Sequence, residues 1–201
     1  AAYLIVENNR AGFIDTGTFH SVGNLLAALS DQGLSPEQVD YVMPTHVHLD
    51  HAGGAGELIR QLPNATLVMH PRGARHMIDP GKLTKGVIAV YGEENFQRQF
   101  GSLIPVPEDR VLIAEEGFSV SLGGRKLVFL DTPGHASHHY CVWDERSRGL
   151  FAGDTFGLSY RELDVEGRAF VFPTTSPVQF RPDAWMQTLD KLASHKPEKI
   201  N

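Results

Sequence analysis

The chain has 201 residues, with 18 Lys and Arg against 24 Asp and Glu, and its formal net charge is −6. This length predicts one domain, and the hydrophobic fraction of 41% excludes a disordered, collagen-like or coiled-coil chain. The acidic balance disfavours nucleic acid as a partner. The single cysteine, Cys141, cannot form an internal disulfide, and no apolar run reaches the roughly 18 residues of a membrane span. We therefore expect a cytoplasmic protein that binds a small molecule and no membrane.

Strand and helix patterns alternate in the first part of the chain. Apolar residues at 3–7 and 12–15 flank Asn8-Asn9 and predict a hairpin. Apolar residues spaced three and four apart over 18–32 predict an amphipathic helix, and Ser35-Pro36-Glu37 predicts the start of another. The same patterns predict strands over 41–43 and 66–69 and helices over 57–62 and 72–78.

The second part of the chain is dominated by strand patterns. Residues 80–107 come first, and their glycines interrupt apolar residues, which predicts a helical insertion or lid. Strands are then predicted over 111–113, 118–122, 126–130, 140–143 and 150–152. A final amphipathic helix is predicted over 183–194 and ends before Lys196-Pro197. The pattern favours an α/β layered fold in one domain, residues 1–201.

Six of the ten histidines fall in two clusters, and the first cluster stands directly after the predicted strand 41–43. It reads His46-x-His48-x-Asp50-His51, a string that chance produces in about one or two of a thousand such chains. Imidazole and carboxylate together suit zinc, iron or manganese, and four such groups exceed the needs of one tetrahedral ion with an open position. His46 and His48 lie two residues apart and can share one ion, which leaves Asp50 and His51 for another. The string therefore predicts two divalent metal ions.

Two further candidate ligands follow later predicted strands. His135 stands in Thr132-Pro133-Gly134-His135, and Asp154 stands in Ala152-Gly153-Asp154-Thr155. With these motifs and Asp15-Thr16-Gly17, the chain resembles the metallo-β-lactamase superfamily and, within it, the hydroxyacylglutathione hydrolase (glyoxalase II-like) branch. The resemblance implies an αββα sandwich of two mixed β-sheets flanked by helices, with the site at the shared edge of the sheets.

The resemblance also implies a division of the ligands between the two ions. The first ion would be held by His46, His48 and His135, the second by Asp50 and His51, and both by Asp154. The family usually adds a histidine from a strand after the helix over 183–194, and His195 stands too early to be that residue. We therefore expect that ligand beyond Asn201 and a domain truncated at both ends. His139 is expected to support a ligand through a hydrogen bond, whereas Asp15 either supports a ligand-bearing loop or caps a turn.

Two divalent ions would supply hydroxide at neutral pH, so we expect a zinc-dependent hydrolase. Its substrate would be an ester, thioester, lactone or phosphodiester of a small molecule, and Asp50 would orient the hydroxide and pass a proton to the leaving group. The segment 156–177 is expected to form one wall of the substrate pocket. Arg161 and Arg168 in this segment are candidates for holding an anionic tail, although solvated arginines are the simpler interpretation.

The alternative to a hydrolase is an iron-dependent oxygenase or oxygen-binding iron protein of the same superfamily. Iron or manganese is the alternative to zinc. Persulfide dioxygenases carry the same histidine string but use one iron, held by residues that match His46, His135 and Asp154. The sequence after Asp154 does not resemble theirs. Flavodiiron proteins place glutamate at the position of His48, so a histidine there favours zinc hydrolysis.

Overall fold

The computed structural model describes residues 1–176 and 179–201. Five strands form the first sheet: β1 (Tyr3–Glu7), β2 (Arg10–Ile14), β3 (Val39–Met43), β4 (Thr66–Met69) and β5 (Val111–Ile113). The later strands are β6 (Ser119–Leu122), β7 (Arg125–Asp131), β8 (Tyr140–Asp144), β9 (Gly149–Phe151), β10 (Leu158–Ser159), β11 (Val171–Phe172) and β12 (Lys199–Ile200). The second sheet has the order β12-β9-β8-β7-β6, and β10 pairs with β11 separately. Both five-stranded sheets contain parallel and antiparallel pairs, so both are mixed.

Helices cover the outer faces of both sheets. In the described part of the chain they are α1 (Val22–Asp31), α2 (Leu49–Ala52), α3 (Ala55–Gln61), α4 (Pro71–Ile78), α5 (Gly81–Tyr91), α6 (Glu93–Phe100) and α7 (Pro182–Ser194). Apolar residues of α1, α3 and α4 pack on the first sheet, and Leu192 of α7 packs on the second. A third apolar cluster fills the space between the sheets. The αββα sandwich implied by the resemblance is thus confirmed, and none of these helices is long and apolar enough to cross a membrane.

Strand β8 contributes side chains to two separate apolar clusters. Successive side chains of a strand point to opposite faces. Tyr140 and Val142 therefore face the first sheet, while Cys141 and Trp143 face α7, and all four are buried. The Tyr140 hydroxyl donates a hydrogen bond of 2.8 Å to the carbonyl of Val68, which joins the two sheets across the core.

The N-cap predicted at Ser35, with proline at the first helical position, is confirmed, but the helix that it starts is short. The structure has a single 3₁₀ turn over Pro36–Gln38, and Val39 already begins β3. Ser35 and Gln38 do form a capping box, in which the Ser35 amide donates to Gln38 Oε1 at 2.9 Å. The sequence signal was therefore a true cap, but the buried strand that follows leaves room for only one turn.

The segment over residues 80–107 contains α5 and α6, which are separated by Gly92 alone. Gly92 has a φ of +79°, a conformation that glycine adopts without a steric penalty. Phe96 of α6 is buried and anchors the pair, while Val90 and Tyr91 at the end of α5 are exposed. The chain rejoins the body of the protein where the Val106 amide donates to the carbonyl of Met77 at 2.9 Å.

We expect Arg125→Met to lower the free energy of unfolding by about 3 kcal/mol. The Asp144 carboxylate is fully buried and accepts hydrogen bonds from Arg125 Nε at 3.0 Å and from the Ser147 hydroxyl, so the variant leaves a buried charge without its cation. Urea denaturation measures the change. Lys126→Met is the matched control, because the exposed pair with Glu145 contributes about 0–1 kcal/mol. Equal losses in the two variants would contradict the argument.

The same ion pair gives a pH dependence with a defined sign. Burial raises the pKa of Asp144, but the hydrogen bonds from Arg125 and Ser147 outweigh it and the net pKa is lowered. A lowered pKa stabilises the fold above the ordinary aspartate value of about 3.9, and this stabilisation is lost as the pH falls below it. The stability difference between wild type and Arg125→Met should therefore shrink in acid.

Candidate metal centre

The predicted site residues follow strands that end at one edge of the sandwich. The loop after β3 carries His46 and His48, and β2 is followed directly by Asp15. In the second sheet, the loop after β7 carries His135 and the turn after β9 carries Asp154. Two sheets packed face to face bring these loops together, because their strands β2, β3, β7 and β9 end on the same side.

Three histidine nitrogens form the first donor group. His46 Nε2 lies 2.9 Å from His48 Nδ1, and His135 Nε2 lies 3.0 Å from the same His48 atom. All three atoms lie within 4.8 Å of one another. A tetrahedral ion bound through nitrogen at 2.0–2.1 Å would separate its ligand atoms by roughly 3.3 Å. The chemistry and spacing of this group therefore fit a metal ion.

A second donor group adjoins the first and includes both carboxylates. His51 Nε2 lies 3.1 Å from one oxygen of Asp154 and 3.5 Å from Asp50 Oδ2. The other oxygen of Asp154 lies 3.5 Å from His135 Nε2. His46, His51 and Asp154 also offer three atoms within 4.8 Å of one another. The structure thus brings all six predicted residues together, with Asp154 between the groups and Asp50 outermost, its side chain 69% exposed.

Asp15 supports the loop that carries the histidines, which is the first of the two roles predicted for it. The backbone at Asp15 has a φ of +56°. The buried Asp15 carboxylate accepts hydrogen bonds from the Thr45 amide at 2.7 Å and from His51 Nδ1 at 2.8 Å. The Thr16 amide donates to the carbonyl of His51 at 2.7 Å. Because Nδ1 of His51 is used here, Nε2 is directed towards Asp154. Sequence reasoning missed Thr45 and Thr16, since threonine carries no specific signal for this role.

His139 is fully buried and positions Asp154, in line with its expected supporting role. Its Nε2 accepts a hydrogen bond from the Asp154 amide at 3.2 Å, so its Nδ1 is the donor to the Thr132 hydroxyl at 2.7 Å. The backbone reaches this position through Gly153, which has a φ of +51°. A Cβ on Gly153 would stand 2.6 Å from His139 Nε2, so the close approach requires glycine.

A short segment after β11 holds His135 from the other side. His135 Nδ1 donates to the carbonyl of Thr174 at 2.7 Å, which leaves the lone pair of Nε2 free to coordinate a metal. The Ser176 hydroxyl donates to the carbonyl of His135 at 2.6 Å. These residues belong to the segment 156–177 that was expected to form a wall of the pocket. Pro177 at its end lies outside the described residues.

Burial favours the neutral form of two candidate ligands, His46 and His48. Burial lowers the pKa of His46 well below the ordinary value. Burial, followed by the nearby His135, lowers the pKa of His48 to about 4. A neutral imidazole is the form that binds a metal ion, so these side chains are ready to coordinate at neutral pH.

The carboxylates give the second group a negative potential. Burial alone would lower the pKa of His51, but hydrogen bonds to Asp15 and Asp154 raise it to about 10. Burial likewise opposes the charge on Asp154, yet the hydrogen bond from His51 lowers the pKa of Asp154 to about 2. At neutral pH the Asp154 carboxylate is therefore ionised and attracts a cation. His51 carries a proton at that pH, and a metal ion that binds its Nε2 would displace this proton.

A cavity of about 350 Å³ opens onto the candidate ligands. Apolar side chains from α5 and α6 line one side, namely Leu83, Val87, Tyr91 and Phe100. Hydroxyl-bearing residues line the other, namely Thr174, Thr175 and Ser176. His48, Asp50, His135 and Asp154 face the same space. The helices of the segment 80–107 therefore contribute a wall to the cavity at the donor groups.

His195 lies away from both donor groups. It ends α7, and its ring packs 5.5 Å from the ring of Trp143. His70 is also outside the groups: its Nδ1 accepts from the Arg72 amide at 3.0 Å and its Nε2 lies 3.1 Å from Asp131. These two histidines have structural contacts of their own.

We expect Asp15→Asn to weaken metal binding by about 10–100-fold, as is usual when a residue that orients a metal-binding histidine is changed. An asparagine side chain cannot accept hydrogen bonds with both oxygens, as Asp15 does from Thr45 and His51. Competition against a chromogenic chelator measures the affinity for zinc. Asp31→Asn, at the exposed end of α1, is the control and should bind zinc like the wild type. Identical affinities in the two variants would refute the role of Asp15.

A model of the metallo-beta-lactamase superfamily matches residues 1–200. A metallo-beta-lactamase fold-containing protein of Sulfurisphaera tokodaii is 28% identical over 189 residues, which cover 89% of this chain and 68% of the relative. A crystal structure of an archaeal superfamily protein from Sulfolobus tokodaii has a TM-score of 0.74 at 27% identity, over 99% of this chain and 71% of that one.

Two relatives carry names of different enzyme classes. A hydroxyacylglutathione hydrolase of Enterobacter sp. is 28% identical over 152 residues, covering 76% of this chain and 45% of the relative. A type A flavoprotein of Rhodobacter capsulatus is 27% identical over 170 residues, which cover 84% of this chain and 33% of the relative. The chain thus spans about a third to two thirds of the length of the curated relatives it matches. Fold, donor groups and family model agree: the chain belongs to the metallo-beta-lactamase superfamily.

Proposed function

We propose that this protein is a metal-dependent hydrolase with a dinuclear site, preferably of zinc, that cleaves an ester, thioester or lactone of a small molecule. The observation that carries the proposal is the meeting of four histidines and Asp154, from three separate segments, in two adjoining donor groups. Asp50 stands at their edge, 3.5 Å from His51 Nε2. The first group is made of imidazole alone, which suits zinc, and the second adds carboxylates.

Each predicted ligand has a role in this proposal. One ion would be held by His46, His48 and His135, the other by Asp50 and His51, and both by Asp154. When bound, the two ions supply a hydroxide nucleophile at neutral pH and polarise the oxygen of the scissile group.

The protein itself would position the ligands and handle the proton. Asp15 holds His51 by its Nδ1, and the carbonyl of Thr174 holds His135 in the same way, so both rings keep Nε2 directed at the site. Asp50 is the most exposed of the candidate ligands and faces the cavity, so its carboxylate is placed to accept a proton and deliver it to the leaving group.

The cavity favours acyl compounds over phosphodiesters. Its apolar wall suits a hydrocarbon group, and the hydroxyls of Thr175 and Ser176 offer hydrogen bonds to a neutral polar group. The described residues that line it include no lysine or arginine, the side chains that usually hold a phosphodiester. A small, partly apolar ester, thioester or lactone fits this lining best.

A panel of small thioesters, lactones, aryl esters and phosphodiesters tests the proposal with zinc-loaded protein. We expect the largest kcat/KM among the acyl compounds, abolition of turnover by His46→Ala, and no change with His195→Ala. Turnover that survives His46→Ala would show that the hydrolysis does not come from this site.

An oxygen-handling iron protein is the second candidate function. The match with the type A flavoprotein covers 84% of this chain, a larger share than the 76% covered by the match with the hydroxyacylglutathione hydrolase. Histidine and carboxylate donors also suit iron. Oxygen consumption by iron-loaded protein, with thiol and persulfide substrates, separates this function from hydrolysis.

A further inference from the structure

A second cavity, of about 520 Å³, lies beside the first turns of α4. It is also lined by the loop before β8 and by residues just before α7, and it shares no lining residue with the cavity at the metal centre. Its charged and titratable lining residues are Arg72, Arg75, His76, His138 and Arg181. Neither the proposed hydrolysis nor the metal centre uses any of these residues.

Three arginines thus line this cavity, and its described lining residues include no carboxylate. Arg72 also borders a neighbouring cavity whose lining includes Glu115, Glu116 and Asp131. Five other arginines of the described residues form ion pairs with carboxylates, as Arg10 does with Asp40 and Arg125 with Asp144. None of the three cavity arginines forms an ion pair within residues 1–176 and 179–201. The chain as a whole is acidic, so this local excess of positive charge does not follow from its composition.

The side-chain donors of these arginines are hardly used by the protein. Arg72 Nη1 reaches the carbonyl of Ser137 at 3.5 Å, and Arg75 Nε reaches His76 Nε2 at 3.4 Å, both near the limit for a hydrogen bond. A guanidinium carries five N–H donors, so most remain available to a ligand. Burial and the charges of Arg75 and Lys82 lower the pKa of His76, in keeping with a positive potential in the cavity.

His138 forms the buried side of this cavity. His138 is only 5% exposed, and its Nδ1 has no hydrogen-bond partner among the described residues. A buried polar atom without a partner costs about 1–3 kcal/mol, so His138 is held beside the cavity at a cost in stability. The His138 ring centroid lies 5.6 Å from that of His48, so one imidazole separates the cavity from the first donor group.

We propose that this cavity binds the phosphate group of a small organic molecule through Arg72, Arg75 and Arg181. The planar guanidinium matches the oxygens of a phosphate and can bind two of them at once. A phosphate monoester carries about −1.5 to −2 charges at pH 7, which balances several arginines better than one carboxylate does. The volume falls within the range of about 300–1,000 Å³ typical of small-molecule sites and exceeds the needs of a phosphate ion, so it leaves room for an organic group.

Calorimetric titration with adenosine 5′-monophosphate, inorganic phosphate and adenosine tests this proposal. We expect the nucleotide to bind, adenosine not to bind, and Arg72→Gln or Arg75→Gln each to weaken binding of the nucleotide by about tenfold, the loss of one charge-assisted hydrogen bond. Arg98→Gln is the matched control, because Arg98 is an exposed arginine of α6 that bonds to Asn95. All of these side chains are exposed, so the variants should fold.

Metal ions also bind phosphate, and Asp154→Asn separates the two sites. The proposal predicts that nucleotide binding persists in Asp154→Asn and falls in the Arg72→Gln/Arg75→Gln double variant. The reverse pattern would place the phosphate at the metal centre and overturn the proposal, as would failure of both phosphate probes to bind. Equal affinities for the nucleotide and inorganic phosphate would also contradict the proposal, because the organic group would then contribute nothing to binding.

Discussion

Replacing Asp154 with alanine should remove one of two bound ions and lower hydrolytic turnover by about 10³-fold. The two carboxylate oxygens of Asp154 reach His51 at 3.1 Å and His135 at 3.5 Å, so this side chain serves both donor groups. A metal ion stabilises the charge of the transition state by about 4 kcal/mol, and losing this stabilisation lowers the rate by about 10³-fold. Metal content and kcat/KM should be measured on the same preparation.

The control for this substitution is Asp190→Ala, at an exposed position of α7. It should keep two ions and the activity of the wild type. If Asp154→Ala also kept two ions and full turnover, the bridging role of Asp154 would be wrong, whatever the substrate. If it lost activity but kept both ions, Asp154 would act on the substrate rather than on the metals.

The second large effect is expected from Asp50→Asn, which should lower kcat by about 10²–10³-fold. Asp50 Oδ2 lies 3.5 Å from His51 Nε2, and its side chain is open to the cavity, so it can exchange a proton with a bound substrate. General acid–base groups contribute typically 10²–10⁴-fold to rate, and an amide cannot take or give that proton.

Asp50→Asn should keep the ion of the first group, since His46, His48 and His135 are unchanged. Metal content near one ion or more per chain, together with a low kcat, is the expected result. A leaving group that needs no protonation, such as a nitrophenolate, should reduce the deficit. An unchanged kcat on every substrate would contradict the role of Asp50 as the proton carrier.

Strand bounds and the grouping of the candidate ligands could be predicted from local patterns. The string from His46 to His51 occupies six consecutive positions, so its ligands needed no knowledge of the fold to be grouped. Alternation of apolar residues marked the strands, and β4 (Thr66–Met69) and β5 (Val111–Ile113) match their predicted bounds. The meeting of His135 and Asp154 with that string is a property of the sandwich, and the resemblance to a known superfamily supplied it.

The features that the sequence did not reveal depend on tertiary contacts. Thr45 holds Asp15 through its amide and its hydroxyl, and the Thr132 hydroxyl binds His139. A threonine gives no sequence pattern by which to foresee these hydrogen bonds. The cap at Ser35 shows where a helix begins and not how long it is, so the single turn that follows could not be foreseen from this motif.

The arginine cavity is the clearest case of a site hidden from the sequence. The sequence offered Arg161 and Arg168 as candidates for an anionic group but favoured solvated arginines there, and the structure leaves both exposed and outside the lining of both cavities. Arg75 and Arg181 stand far apart in the chain, and only the packing of α4 near the residues before α7 unites them.

The central claim is that the six histidine and aspartate ligands hold two divalent ions, and elemental analysis of the purified protein tests it most directly. We predict about two zinc ions per chain, with loss of metal in His46→Ala and no loss in His195→Ala. About one iron ion per chain with little zinc would contradict the dinuclear zinc site and favour the oxygen-handling function instead.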